Sequence, residues 1–264
     1  MISNPSLNTD FLVEVAKGNV PGHSFIRKFG SIDSITNAVI GSDVWEFGAV
    51  DTDARIYTFS DTADIDTMSS SDADDTAIMT IEGLNGALEP IVQSKALDGT
   101  AKVTLDTPLK RLNRAYNSNG IVLEGNVYIY VDGDTTTPGI PDEPLDVRGY
   151  VSAGSAQTLQ CVYTVPAGFT GNVMGYEASM TKSVGATSVN AIMSGHTRED
   201  GKVFRVQDEF SLISSGTSDR IVSFPIMLPF PEKTDFVCHA VTSATFGVSW
   251  SLTILLVDNN FING

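Results

Sequence analysis

An all-β fold is what this sequence predicts: two antiparallel β-sandwich or jelly-roll-like domains joined by a Pro-rich linker, with an extended N-terminal arm. Three observations carry the expectation. The 264 residues include 23 Gly and 11 Pro, with abundant Ser, Thr and Asp, which suits many short strands joined by turns. Hydrophobic residues make up 42% of the chain, enough for a buried core and too many for wholesale disorder. Short alternating or β-branched segments recur along most of the chain, punctuated by Gly, Asn, Asp and Pro.

Residues 1–50 read as an N-terminal arm and edge segment. Residues 10–15 suit one short helix or strand, and residues 18–22 form a turn signal. The basic pair Arg27-Lys28 then sits among apolar residues. This arm is expected to edge the first sheet or to reach a neighbouring subunit. Residues 51–132 read as the first sandwich, with strands at 56–59, 78–84, 91–94, 102–105 and within 120–131. Asn85-Gly86 between apolar runs is a hairpin signal. Residues 133–145 read as the linker, because Pro138, Pro141 and Pro144 cannot sit in a central strand or a helix.

Residues 146–264 read as the second sandwich or jelly-roll domain. Its strands are expected at 158–165, 171–180, 188–193, 203–210, 221–228, 235–242 and 247–256. In the last of these Val248, Trp250, Leu252, Ile254 and Leu256 alternate with Ser249, Ser251 and Thr253, the period of a half-buried strand.

Charge and chemistry narrow the function classes. The formal net charge of −16 disfavours a surface that tracks phosphates or docks on anionic lipid. No nucleic-acid or membrane partner is therefore expected. The first 19 residues lack the basic start and apolar run of a secretion signal, and no apolar run reaches bilayer length. Cys161 and Cys238 lie in apolar β-like runs and read as buried free thiols, with a disulfide left open. With His23, His196 and His239 scattered, they offer no zinc spacing.

His196 sits in a polar stretch, Ser194-Gly195-His196-Thr197-Arg198-Glu199-Asp200, that reads as a loop. Neither a Gly-Xaa-Ser-Xaa-Gly elbow nor a phosphate loop occurs. The acidic residues Asp51, Asp53, Asp61, Asp64, Asp66, Asp72, Asp74 and Asp75 surround only one cation, Arg55. They supply hard oxygen ligands for a divalent ion without EF-hand spacing, so solvated turns are the default. Lys110, Arg111 and Arg114 form the densest basic group and are expected to pair with an acidic neighbouring subunit. Trp45 and Trp250 are the two tryptophans on which a glycan-binding module would depend. No catalytic, cofactor-binding or metal-ligating set is expected, and the chain does not read as an enzyme.

Several segments, in matching order along nearly the full chain, resemble a family of tailed-phage virion proteins. They include Gly18-Asn19-Val20-Pro21-Gly22-His23-Ser24, Leu112-Asn113-Arg114-Ala115-Tyr116 and Tyr163-Thr164-Val165-Pro166-Ala167-Gly168. Gly201-Lys202-Val203-Phe204-Arg205-Val206, Phe230-Pro231-Glu232-Lys233-Thr234-Asp235 and Leu255-Leu256-Val257-Asp258-Asn259 carry it further. The resemblance implies a structural virion protein made in the host cytoplasm, with no active site to carry over. It implies a capsid decoration or cement protein that contacts the major capsid protein and forms a homo-oligomer. A neck, tail or fibre-attachment component is the alternative.

Overall fold

The computed structural model describes residues 5–35, 40–47, 56–133, 136–182, 189–214, 217–243 and 245–261. The fold is all-β and antiparallel, as expected. The chain begins with helix α1 (Pro5–Ala16), followed by β1 (His23–Ile35) and the two-residue β2 (Ser42–Asp43). Next come β3 (Ile65–Ser70), β4 (Ile78–Leu84), β5 (Pro90–Ala96), β6 (Val103–Leu109), β7 (Arg111–Asn117), β8 (Val127–Val131) and β9 (Val147–Val151). The remainder comprises β10 (Val162–Thr164), β11 (Phe169–Lys182), β12 (Val189–Arg198), β13 (Arg205–Ser214), β14 (Thr217–Phe230), β15 (Asp235–Thr242) and β16 (Phe246–Asp258).

An inner sandwich packs the sheet β6-β3-β8-β9 against β5-β4-β7. Ile65, Met68, Ile129 and Val151 from one sheet meet Met79, Ile81, Leu112 and Ala115 from the other. Asn85 organises the β4–β5 hairpin: its side-chain oxygen accepts from the backbone N–H of Ala87 at 2.9 Å and Glu89 at 3.0 Å, an Asx-type turn.

An outer sandwich packs β1-β16-β11-β14 against β10-β15-β12-β13, with β2 paired to β15. The alternating residues of β16 fill its core, where Trp250 meets Tyr176 and Phe210 at centroid separations of 5.5 and 5.4 Å. Towards the end of β16 the outward residues Leu255 and Val257 turn apolar because Val15 of α1 covers them. A helix over one sheet face removes the need for polar residues there.

The structure organises the chain differently from the expected arm, sandwich, linker and sandwich in series. The arm does not edge the first sheet: β1 pairs with the last strand, from His23↔Val257 to Ile35↔Phe246, which buries Ile32 and Ile35 in the outer core. Residues 56–59 are not a strand; their Tyr57 and Phe59 join an aromatic cluster instead. Of the 133–145 run, residues 134–135 lie outside the described residues. The rest folds back on the inner sandwich, with Ser69 Oγ donating to the Gly139 carbonyl at 2.7 Å. It joins β8 to β9, adjacent strands of one sheet, so Val147–Val151 completes the inner sandwich. The inner sandwich is thus inserted between β2 and β10 of the outer one.

Candidate functional site at the junction of the sandwiches

The most concentrated chemistry lies where the two sandwiches meet. Asp235, at the start of β15, is buried. Arg111 of β7 reaches it in two-pronged fashion, Nε to Oδ1 at 2.8 Å and Nη2 to Oδ2 at 3.0 Å. Arg198, at the end of β12, donates to Oδ2 from Nε at 3.1 Å and Nη2 at 2.6 Å. Thr164 Oγ1 adds a bond to Oδ1 at 2.6 Å. The remaining Arg111 nitrogen donates to the Ser60 and Lys110 carbonyls, and Phe59 lies under both guanidinium groups, 5.2 and 5.1 Å from its ring centroid.

Buried charges survive only when paired and fully hydrogen-bonded, and this centre meets that condition. Both Asp235 oxygens are committed to donors, so the group acts as a tie between sandwiches rather than as a free acid or base. The expected pairing of Arg111 with a neighbouring subunit is corrected accordingly: its carboxylate partner belongs to the same chain. Arg114, by contrast, is exposed, holds Gln157 Oε1 at 2.7 Å and lies over the Tyr116 ring.

An aromatic seam continues the junction. Trp45 packs edge-on against Tyr57 at 5.2 Å, and Phe47 meets Tyr150 at 5.4 Å. Tyr128, Tyr130 and Val147 from the inner sandwich meet Val162 and Val237 from the outer. The seam explains the unbroken apolar run of β8: Val127 and Ile129 face the inner core while Tyr128 and Tyr130 face the seam. Trp45 and Trp250 are each only 2% exposed, so neither offers a face to a sugar. The glycan expectation loses its platform.

His196 lies on β12, not in a loop. Its Nε2 is 2.9 Å from Ser194 Oγ, and its ring stacks on His239 with centroids 5.6 Å apart. The carboxylate belongs to the second ring: His239 Nδ1 meets Asp43 Oδ1 at 2.8 Å, and its Nε2 meets the Ile40 carbonyl at 3.0 Å. Two acceptors require two N–H groups, which is the imidazolium form. Burial alone would lower the His239 pKa, but Asp43 and the Ile40 carbonyl raise it above the ordinary 6.5. Burial and the neighbouring His239 hold His196 below that value. Serine, base and orienting carboxylate therefore do not line up in series, as nucleophile activation requires.

A cleft of about 410 Å³ opens between β1 and the inner sandwich, lined by Phe25, Lys28, Glu82, Ile91, Arg114 and Tyr163 among others. Lys28 donates to the Asn113 carbonyl, and burial pushes its ammonium pKa down to about 8. Asp51 and Asp53 of the acidic run lie outside the described residues. Asp75 is buried, with its carboxylate accepting from the N–H groups of Glu124 and Gly125 at 2.9 and 3.0 Å and from Ser70. Among the described residues no three His, Cys, Asp or Glu side chains converge to hold a metal ion. Cys161, just before β10, and Cys238 of the neighbouring β15 are buried free thiols with their sulfurs 3.2 Å apart.

No protein-family model matches the chain, and no curated protein does. Among solved structures, an infectious bursal disease virus Gx strain structure aligns at 11% identity over 88% of this chain and 72% of that one, with a TM-score of 0.25. A VP2 subviral particle of infectious bursal disease virus aligns at 13% identity over 91% and 73%, with a TM-score of 0.22. At such low scores neither likeness adds to what the strands themselves establish.

The sequence signalled few of these roles. Arg111 and Asp235 stand 124 positions apart and are joined only by the tertiary fold. The Phe230-Pro231-Glu232-Lys233-Thr234-Asp235 segment, which carries part of the family resemblance, also delivers the carboxylate at the centre of the junction.

Proposed function

We propose that this chain is a structural protein of a virus particle, and specifically a capsid decoration or cement protein of a tailed phage. The observation that carries the reading is the junction itself. Two sandwiches tied by a buried ionic centre and an aromatic seam make one stiff body, able to transmit contact from one neighbouring subunit to another. The motif resemblance supplies the phage context. The chain's −16 charge keeps it soluble before docking and suits a partner surface of opposite sign. In this reading it is not an enzyme and uses no cofactor, metal, nucleic acid or membrane; it works by binding the assembled shell better than free subunits. Among the described residues no helix is long and apolar enough to cross a membrane.

Quantitative gel densitometry of purified particles tests the reading. Hundreds of copies per particle are expected for a cement protein, whereas a copy number matching one ring points to the neck or tail. A chain absent from washed particles overturns the virion reading.

A further inference from the structure

We propose that Cys161 and Cys238 are a redox pair that closes into an internal disulfide when the chain meets an oxidised small-molecule disulfide. The bond fastens the chain returning from the inner sandwich to β15, beside the junction.

Strand register places the two cysteines. β10 pairs with β15 antiparallel, from Thr164↔Asp235 to Val162↔Val237, so the next residues along, Cys161 and Cys238, stand opposite each other. The Cys238 N–H donates to the Cys161 carbonyl at 3.2 Å, in keeping with that register. Opposed residues joined in this way hold their Cα atoms about 5.5 Å apart, a common span for a disulfide. Side chains of opposed residues share one face of a sheet, and here both sulfurs enter the outer core, 3.2 Å apart. The backbones are already in place, so closure asks only for side-chain movement. Core packing accounts for a single buried thiol. It does not account for the fold bringing both cysteines of the chain to one ladder position from 77 residues apart.

The pair also sits where the chain crosses between the sandwiches. Val44, on the outgoing chain, donates its N–H to the Cys238 carbonyl at 2.8 Å and accepts from the Cys161 N–H at 2.8 Å. Gln160 donates from Nε2 to the Leu112 carbonyl of the inner sandwich at 3.1 Å. Val162 and Val237, next to the two cysteines, belong to the aromatic seam. β10 has only three residues and ends its sheet, so a short ladder holds the returning chain. A covalent bond at Cys161 secures that return. It also closes a long loop, which removes entropy from the unfolded chain.

Both thiols are buried, and burial together with the neighbouring Cys161 raises the Cys238 pKa well above its ordinary value. The closed fold therefore keeps Cys238 protonated and slow to react. Reaction begins when β10 opens locally. Cys161 loses its proton and attacks one sulfur of the small disulfide, whose S–S bond breaks and releases one thiolate. Cys238 then loses its proton and attacks the Cys161 sulfur of the mixed disulfide, releasing the second thiolate. Two protein thiols are oxidised, one small disulfide is reduced to two thiols, and the two protons pass to the departing thiolates. Excess small thiol reverses both steps, so a reducing compartment keeps the thiols and an oxidising medium closes the bond.

Equilibration of the purified full-length chain with oxidised glutathione provides the test. Urea just below the unfolding midpoint admits the reagent and is removed before measurement. No thiol is expected to titrate in the denatured product, whose intact mass is expected to be two hydrogens below that of the reduced chain. The oxidised chain is expected to melt about 5–15 °C above the reduced one, and dithiothreitol to abolish the gain. Cys161→Ala and Cys238→Ala are each expected to lack it. Two thiols that still titrate, a glutathione adduct in place of the internal bond, a link between chains, or an oxidised chain that melts no higher overturns the proposal. Because the purified chain is measured alone, the result is independent of whether the protein is found in particles.

Discussion

At the scale of single residues, the junction depends on one carboxylate that serves two guanidinium groups. Asp235→Asn keeps the shape but leaves Arg111 and Arg198 without their counter-charge. The Arg111 and Asp235 side chains are only 7% and 3% exposed, so solvent screening offers little relief. The substitution is expected to cost about 3–5 kcal/mol, the range for breaking a buried pair. Arg111→Met is expected to cost less, since Arg198 and Thr164 still hold the carboxylate. Urea unfolding of both variants checks the order, and a loss under ~1 kcal/mol for Asp235→Asn would mean the charges are already screened. The stacked histidines give a pH signature. With its folded pKa below 6.5, His196 takes up protons more readily when unfolded, so stability falls as pH drops beneath 6.5. With its folded pKa above 6.5, His239 contributes fully below that value and loses its contribution as pH rises through the folded pKa. His196→Gln is expected to flatten the acid limb of a stability–pH curve, and Asp43→Asn the alkaline limb. Unchanged limbs in unfolding midpoints taken across about pH 5–8 would contradict the assignment.

At the scale of elements, strands were legible wherever burial imposed a simple pattern. β16 alternates over its first half because one face meets the core, and β8 is continuously apolar because both faces are covered. β3 was illegible because Thr67, Ser69 and Ser70 are buried polar residues, and β7 because its arginines read as surface charge. The 133–145 run misled for a related reason. Its prolines do exclude a strand or helix, but a chain that cannot pair can still pack. Gly139 shows how tightly it does: φ is +71°, and a Cβ there would lie 1.8 Å from the Ser70 carbonyl oxygen. Gly139→Ala is therefore expected to destabilise by roughly 1–3 kcal/mol through strain and displacement of β3. Gly154 has a similar φ of +72° but open space around it, so Gly154→Ala is expected to cost only about 1 kcal/mol. Equal losses in denaturant titrations would show that the loop packs no more tightly than an ordinary turn.

At the scale of the whole molecule, the question is whether the sandwiches unfold together. Each has its own hydrophobic core, so cooperativity must come from the junction, through the Asp235 centre and the aromatic seam. Trp45 is the largest side chain in that seam and is 2% exposed, so Trp45→Ala is expected to cost about 3–5 kcal/mol. Its more informative effect appears in combination with Asp235→Asn, which weakens both ties at once. Two bodies with separate cores and a weakened junction should no longer melt in one step. The double variant also simplifies detection, because Trp250 becomes the sole tryptophan of a chain that has two, and it sits in the outer core. Its fluorescence then follows the outer sandwich alone, while far-UV circular dichroism follows both. Coincident transitions in the wild type and separated ones in the double variant are expected. If the two signals still coincide in the double variant, cooperativity resides in the chain crossing around residues 152–161, and the buried ionic centre fastens Arg111 and Arg198 to Asp235 rather than one sandwich to the other.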